Sequence, residues 1–362
     1  MDFKLLSLVF KIGTVLASTP PSTEIKRKTV TQKLYILLVF GVLTAAHLTS
    51  FYYKNFFLGY IHIKVVLCFL DEFSLYGLNF YCMITLGFYK LDKWKQLMGY
   101  FRATAYLTQY KVQKNHDILY FCLFLLVTVL HLLTSGYVVY VGCRTYGVIY
   151  VKQELIDHIW IFLDLFNKYV MCVIIKMLLS RYEGLKIFLM IYLENNKHLS
   201  KLPTPLMKKV ERTMGQLRKT VDTYNEMFAW PLFLVICFTT LEILNVIDFA
   251  MFYNKELEIL DNMTLNALLL VWIFVDTVVL ILMADAVVQE GEKIVSLSHD
   301  LRWSFQDSEI MDDLKFEEFT TLLEKNSPTF TAASFFEIGR STILNVLGTV
   351  VTFLIVMIQF GN

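Results

Sequence analysis

The sequence predicts an all-α membrane protein with seven transmembrane helices, a cytoplasmic N-terminus, an extracellular C-terminus and a cytoplasmic helical anchor. Three observations predict it. Hydrophobic residues make up 56% of the 362, aromatic residues 15% and charged residues only 18%, more apolar surface than a soluble chain of this length can hide. Seven apolar runs each supply the ~20 residues that a hydrocarbon core demands. Lysine and arginine collect in alternate connections, as they do when positive residues are retained on the cytoplasmic side.

Residues 1–33 read as a retained cytoplasmic segment carrying an interfacial helix. The apolar stretch from Met1 to Ala17 resembles a signal peptide only superficially. Lys11 breaks it, Asp2 occupies the part that should be basic, and Pro20-Pro21 stand where a small-residue cleavage site belongs. The first four spans fall within residues 34–180, at Leu34–Tyr53, Ile61–Tyr89, Ile118–Gly142 and His158–Ser180. The second is overlong and should tilt or continue into the cytosol. Residues 181–228 form a cytoplasmic helical extension. Here Val210, Met214, Leu217, Val221, Tyr224 and Phe228 recur at alternating intervals of four and three, a heptad seam that fits either a helix packed on its own chain or a contact between subunits. The fifth and sixth spans, Ala229–Tyr253 and Leu265–Val288, lie within residues 229–288. The connection 289–341 carries 11 acidic and five basic residues and can place Leu314, Phe319, Leu322 and Leu323 on one apolar flank. Residues 342–362 hold the seventh span, Thr342–Phe360, and the end of the chain.

Orientation follows from the connections. Segments 1–33, 90–117, 181–228 and 289–341 contain six, six, nine and five Lys and Arg, against one, two and one in 54–60, 143–157 and 254–264. This 26-to-four split puts the N-terminus inside and, after seven spans, the C-terminus outside. The sequon Asn262-Met263-Thr264 falls on the outer side, which makes Asn262 a candidate glycosylation site, close to the sixth span. A G-protein-coupled receptor would have the opposite orientation. No Asp-Arg-Tyr follows the third span, no Asn-Pro-x-x-Tyr occurs in the seventh, and of six prolines only Pro231 touches a span.

A net charge of +1 gives no reason to expect nucleic acid or an acidic substrate. The six cysteines show no C-x-x-C spacing and five lie in apolar runs, which argues against zinc or disulfide frameworks. No H-E-x-x-H, G-x-S-x-G, P-loop or Gly-rich dinucleotide turn occurs and the histidines are not grouped as metal ligands, so neither an enzyme, a cofactor nor a metal is expected. A transporter should show inverted repeats or Gly/Pro-broken half helices, and neither is visible.

Ionisable residues inside spans cost ~2.5 to 3.5 kcal/mol each at a helix centre and require partners or a wet cavity. Asp164 and Lys168 are four apart on one helix face and can neutralise one another, the alternative being direct ligand contact. At least one of Asp71 and Glu72 should meet a polar group on another helix, and Glu242, Asp248, Asp276 and His131 pose the same question. The outer halves of the third to sixth spans hold His131, Ser135, Tyr137, Tyr140, Trp160, Asp164, Asn167, Asn245, Asp248, Asn266 and Trp272, aromatic surface with a few polar groups as a small-molecule pocket needs. Interfacial anchoring is the competing use of such aromatics. His131, Tyr137, Trp160, Asp164, Asn167, Asn245 and Trp272 are the candidate ligand contacts. On the seventh span, Ser341, Asn345, Gly348, Thr352, Ile355 and Gln359 recur at four and three and make one polar or small stripe, suited to a pore or to helix packing.

The last residues of that span, Thr352-Phe353-Leu354-Ile355-Val356-Met357-Ile358-Gln359-Phe360, resemble the signature TYhhhhhQF, with h apolar, that closes insect gustatory receptors. The preceding Phe330 to Val351, FTAASFFEIGRSTILNVLGTVV, is also similar to that family. Phe353 stands in place of the usual Tyr, so the hydrogen bond of that hydroxyl is absent. The resemblance covers roughly the last tenth of the chain well and the rest by layout. It implies a tastant-gated, non-selective cation channel in the plasma membrane of chemosensory neurons, formed by four identical or related subunits among membrane lipids. It also implies a tastant pocket in the outer half of each bundle and an anchor built from cytoplasmic helix extensions. Thr352, Ile355, Gln359 and Phe360 are then the candidate pore and gate residues, with apolar side chains closing the channel by excluding water. A seven-helix odorant receptor of the same superfamily is the alternative, and the Gln-Phe ending favours the gustatory branch.

Overall fold

The computed structural model describes residues 3–20, 30–54, 62–110, 116–195, 204–252, 257–304 and 310–360. Ten α-helices carry nearly all of them: α1 (Phe3–Val15), α2 (Val30–Tyr53), α3 (His62–Phe80), α4 (Leu91–Ala103), α5 (His116–Tyr146), α6 (Ile149–Asn195), α7 (Thr204–Phe252), α8 (Leu257–Ser304), α9 (Ile310–Lys325) and α10 (Arg340–Phe360). Strands β1 (Thr331–Ala332) and β2 (Phe336–Glu337) form an antiparallel hairpin between α9 and α10. The chain is an all-α membrane protein. Among the described residues, five helices are long and apolar enough to cross a membrane, at Val30–Tyr53, Val65–Tyr89, Phe121–Arg144, Pro205–Asp248 and Leu270–Asp300, with Arg340–Val356 a shorter apolar stretch. The remaining expected span lies in α6, which packs against α2, α5 and α8 and buries Trp160, Leu163 and Phe166 within its own chain. Enclosure by protein lets α6 carry charge at this level without facing lipid.

The overlong second span divides. Helix α3 passes into a π-helical segment, Tyr81–Tyr89, before α4 begins at Leu91. The wider turn exposes carbonyls that neighbouring groups take up. Trp94 Nε1 donates to Leu86 O at 3.2 Å, and Lys90 Nζ donates to the Tyr81 hydroxyl at 2.6 Å. Helix α1 covers this region rather than lying free at an interface. Leu6, Val9 and Phe10 are buried, and the Phe10 ring meets Trp94 edge-on at 5.2 Å. The apolar face of the segment is thus spent on its own chain.

The C-terminal part of α6, the N-terminal part of α7 and the C-terminal part of α8 join α9 and the hairpin in one core with the adjoining parts of the spans. All six residues of the heptad seam are buried against their own chain, which settles the choice left open by periodicity: the seam packs within the subunit. Phe319 and Leu323 of α9 are buried and Leu322 is half-buried, whereas the Leu314 side chain lies outside the described residues. Two glycines permit close approach, because a Cβ on Gly184 would lie 2.4 Å from Leu107 O and one on Gly291 would lie 2.3 Å from Pro328 Cδ. The hairpin turns through Ala333 and Ser334 at φ 48° and 63°. Its Ala333 amide donates to Ala229 O at 2.8 Å, and Asn225 Nδ2 to Thr329 O at 2.7 Å, which fixes the strand pair to α7 where α10 begins.

Candidate functional site

Two regions hold the residues singled out in the sequence. In the first, α2, α3 and α6 converge on a polar and aromatic cluster. Trp160 is fully buried, and its ring stands edge-on to Tyr76 at 5.9 Å and to His47 at 6.3 Å, while His47 stacks on Tyr76 at 5.3 Å. The Tyr76 hydroxyl lies 3.2 Å from Thr44 Oγ1. A relay of amides runs beneath: Asn167 Nδ2 donates to Asn79 Oδ1 at 3.3 Å, and Asn79 Nδ2 donates to Leu75 O at 2.9 Å and Trp160 O at 3.3 Å. Each amide is thereby satisfied out of water.

Asp164 Oδ2 and Lys168 Nζ form an ion pair at 2.7 Å, both side chains almost wholly buried, so the expected neutralisation along one helix face is present. His131 is buried and sits 3.5 Å from Ser135 Oγ on the same helix. Asn245 and Trp272 are half-buried, whereas Tyr137 points outward and is exposed. Structure therefore gathers Trp160, Asp164, Asn167 and His131 into the bundle interior and leaves Tyr137 on its outside. The side chain of Asn262, in the first turns of α8, lies outside the described residues.

Sequence reasoning missed His47, Lys54, Tyr76 and Asn79. Glu72 meets both Lys54, just past α2, and His47, 3.6 Å from its Nε2, so the carboxylate finds its polar partner on another helix. Lys54 also pairs with Asp157 of α6. Burial works against the Lys54 charge, but Asp157, Glu154 and Glu72 outweigh it and hold its pKa above the usual lysine range. Gln153 Nε2 donates to Tyr53 O at 2.8 Å and Ser50 Oγ donates to Gln153 O, stitching the same helix ends. Asp71 lies beside Glu242 of α7, so the second mid-span acid of α3 also meets a polar group on another helix. Ligand atoms of His47, Glu72 and Asp157 lie within 4.8 Å of one another, a grouping that the spacing of the histidines in the sequence does not show. They come from three helices distant in sequence, and no local spacing announces them.

The second region is α10. Thr342, Val346 and Val350 are buried on the side that meets α7 and α8. The opposite stripe, Ser341, Asn345, Gly348, Thr352, Ile355 and Gln359, is exposed in the single subunit. Thr349 and Thr352 donate their hydroxyls back to Asn345 O and Gly348 O at 2.9 and 2.8 Å. Leu344, Asn345, Gly348, Thr349, Thr352, Phe353 and Val356 line an open groove of about 690 Å³ along this helix. Arg340, at its start, is held by Asp285 at 2.8 Å. The Phe360 side chain lies outside the described residues.

Comparison with known proteins places this arrangement. The family model described as 7tm chemosensory receptor matches residues 6–361. The chain is similar to the insect olfactory receptor OR5 from Machilis hrabei, at 13% identity and a TM-score of 0.66, covering 98% of this chain and 97% of that one. The same receptor in complex with eugenol matches at 14% identity and a TM-score of 0.69, covering 99% and 97%. At these identities the likeness is one of fold. No curated protein sequence matches the chain.

Proposed function

The chain belongs to the 7tm chemosensory receptor family, and we propose that within it the protein is a tastant-gated, non-selective cation channel of the gustatory type. The observation that carries this reading is α10. A helix with one buried flank and one exposed polar stripe ends in Gln359-Phe360, the pattern that closes gustatory receptors. In a tetramer of identical or related subunits, four such stripes would surround a wet axis. Gln359 would then form a neutral amide ring, and bulky apolar side chains near Phe360 would close the path by excluding water. No charged residue follows Arg340, so the helix offers no charged ring and discrimination among cations should be broad.

A tastant would enter from the outer side and reach the cluster around Trp160 and Asn167, where aromatic walls and a few fixed polar groups suit a small neutral molecule. Placement in the plasma membrane of chemosensory neurons follows from the same reading. An odorant receptor is the second reading, favoured by the fold likeness to a receptor that binds eugenol. Calcium imaging of cells expressing this chain alone, against sugars, bitter compounds and volatile phenols, separates the two. Responses confined to non-volatile tastants support the gustatory reading, and responses confined to volatiles overturn it.

A further inference from the structure

The ionic cluster where the C-terminal part of α2, the middle of α3 and the N-terminal part of α6 meet is not needed for the gating scheme above, and its chemistry is specific. His47 offers an imidazole, and Glu72 and Asp157 offer carboxylates, with ligand atoms within 4.8 Å of one another. His47 Nε2 and Glu72 Oε2, at 3.6 Å, are already near the separation of about 3.4 Å between ligands on a tetrahedral zinc ion. The position between the carboxylates holds a cation now, the ammonium of Lys54. His47 Nδ1 and Asp157 Oδ1 are buried and make no hydrogen bond among the described residues, so donor capacity remains beyond what Lys54 uses. The four side chains are between 9% and 15% exposed, so the cluster is enclosed without being sealed.

We propose that His47, Glu72 and Asp157 form a regulatory site for a divalent transition-metal ion of the zinc class, with Lys54 as the built-in competitor. Two carboxylates and a neutral imidazole around a divalent ion balance its charge, whereas Lys54 neutralises only one carboxylate. An imidazole among three ligands selects zinc over calcium or magnesium, which take oxygen shells. Lys54 lies just past the end of α2, so its side chain can swing to solvent when the metal enters, leaving a fourth position for water. Metal binding would then tie α2, α3 and α6 together at the rim of the Trp160 cluster without using Lys54.

Thermal unfolding of the purified full-length protein in detergent, after chelator treatment and titrated with zinc chloride, tests this without relying on channel activity. Zinc is expected to raise the unfolding midpoint of the parent while magnesium chloride does not, and His47→Ala to remove the zinc response. Lys54→Met is expected to respond at zinc concentrations at least tenfold lower than the parent. An equal zinc response in the parent and His47→Ala, a response absent from both the parent and Lys54→Met, or a weaker one in Lys54→Met overturns the proposal in favour of an ion-pair network only. If Lys54→Met does not fold, the contrast between the parent and His47→Ala decides alone.

Discussion

Breaking the Asp164–Lys168 pair gives the sharpest measure of how the bundle interior is held. The two groups are 2.7 Å apart, one turn along α6, and almost wholly buried. Removing one partner leaves the other charged and out of water, which costs about 3 to 5 kcal/mol in comparable buried pairs. The two single changes should not be equal. Asp276 of α8 is close enough to feel the Lys168 charge, so Asp164→Leu leaves the lysine a second, more distant carboxylate. Lys168→Met leaves Asp164 and Asp276 facing one another without their cation. Lys168→Met should therefore be the more damaging, near the upper end of that range. The double variant Asp164→Leu/Lys168→Met replaces the pair by apolar side chains and should lie within about 1 kcal/mol of the parent, or above it. Equilibrium unfolding in detergent, read as a double-mutant cycle, gives the coupling directly. Single changes that cost under about 1 kcal/mol and add independently, as for exposed pairs, would refute the reasoning.

Three further outcomes follow from particular contacts. Gly184→Val puts a Cβ 2.4 Å from Leu107 O and should cost about 1 to 3 kcal/mol, whereas Gly215→Ala, with open space around it in α7, should gain up to about 1 kcal/mol; thermal stability of both variants checks this. Trp160→Ala empties a fully buried site against Tyr76 and His47 and should cost about 3 to 5 kcal/mol, seen as loss of surface protein before any shift in ligand response; unchanged surface labelling with a shifted response would make Trp160 a ligand contact alone. An epitope after Asn362 should label on intact cells and one before Met1 only after permeabilisation, given the 26-to-four split of basic residues, and the reverse pattern would sink both the orientation and the channel reading.

The large features of this fold are written in one-dimensional signals. Apolar length marks the spans, because lipid sets a minimum run of residues, and heptad spacing marks the α7 seam, because neighbouring turns share a face. The Asp164–Lys168 pair was legible for the same reason, both partners lying on one helix. Periodicity could not say what covers the seam, since a helix face looks alike whether its own chain or another subunit buries it. The structure supplies the cover from α4, α6, α8 and α9.

What stayed hidden depends on contacts between distant segments. His47 and Tyr76 read as ordinary members of apolar spans, and only their packing on Trp160 makes them part of the aromatic cluster. Lys54, Glu72 and Asp157 read as two connection residues and a mid-span acid. A buried charge in α3 was nonetheless a usable signal, because it demanded a partner without naming one. Helix α1 misled, since an amphipathic segment near a membrane looks interfacial until Trp94 and its neighbours are seen to receive it. Tyr137, chosen by residue type and depth, is exposed on the single chain instead of lying with Trp160 and Asn167 in its interior.

The central claim is that α10 lines a ligand-gated cation pore with Gln359 on its axis. Whole-cell recording of Gln359→Glu tests it most directly, by the reversal potential of the ligand-evoked current under bi-ionic calcium and sodium. A carboxylate added by each subunit at a pore mouth should draw the reversal potential toward greater calcium permeability, with surface protein unchanged. A variant that reaches the surface, responds to ligand and reverses at the parent potential would remove Gln359 from the pore and contradict the account.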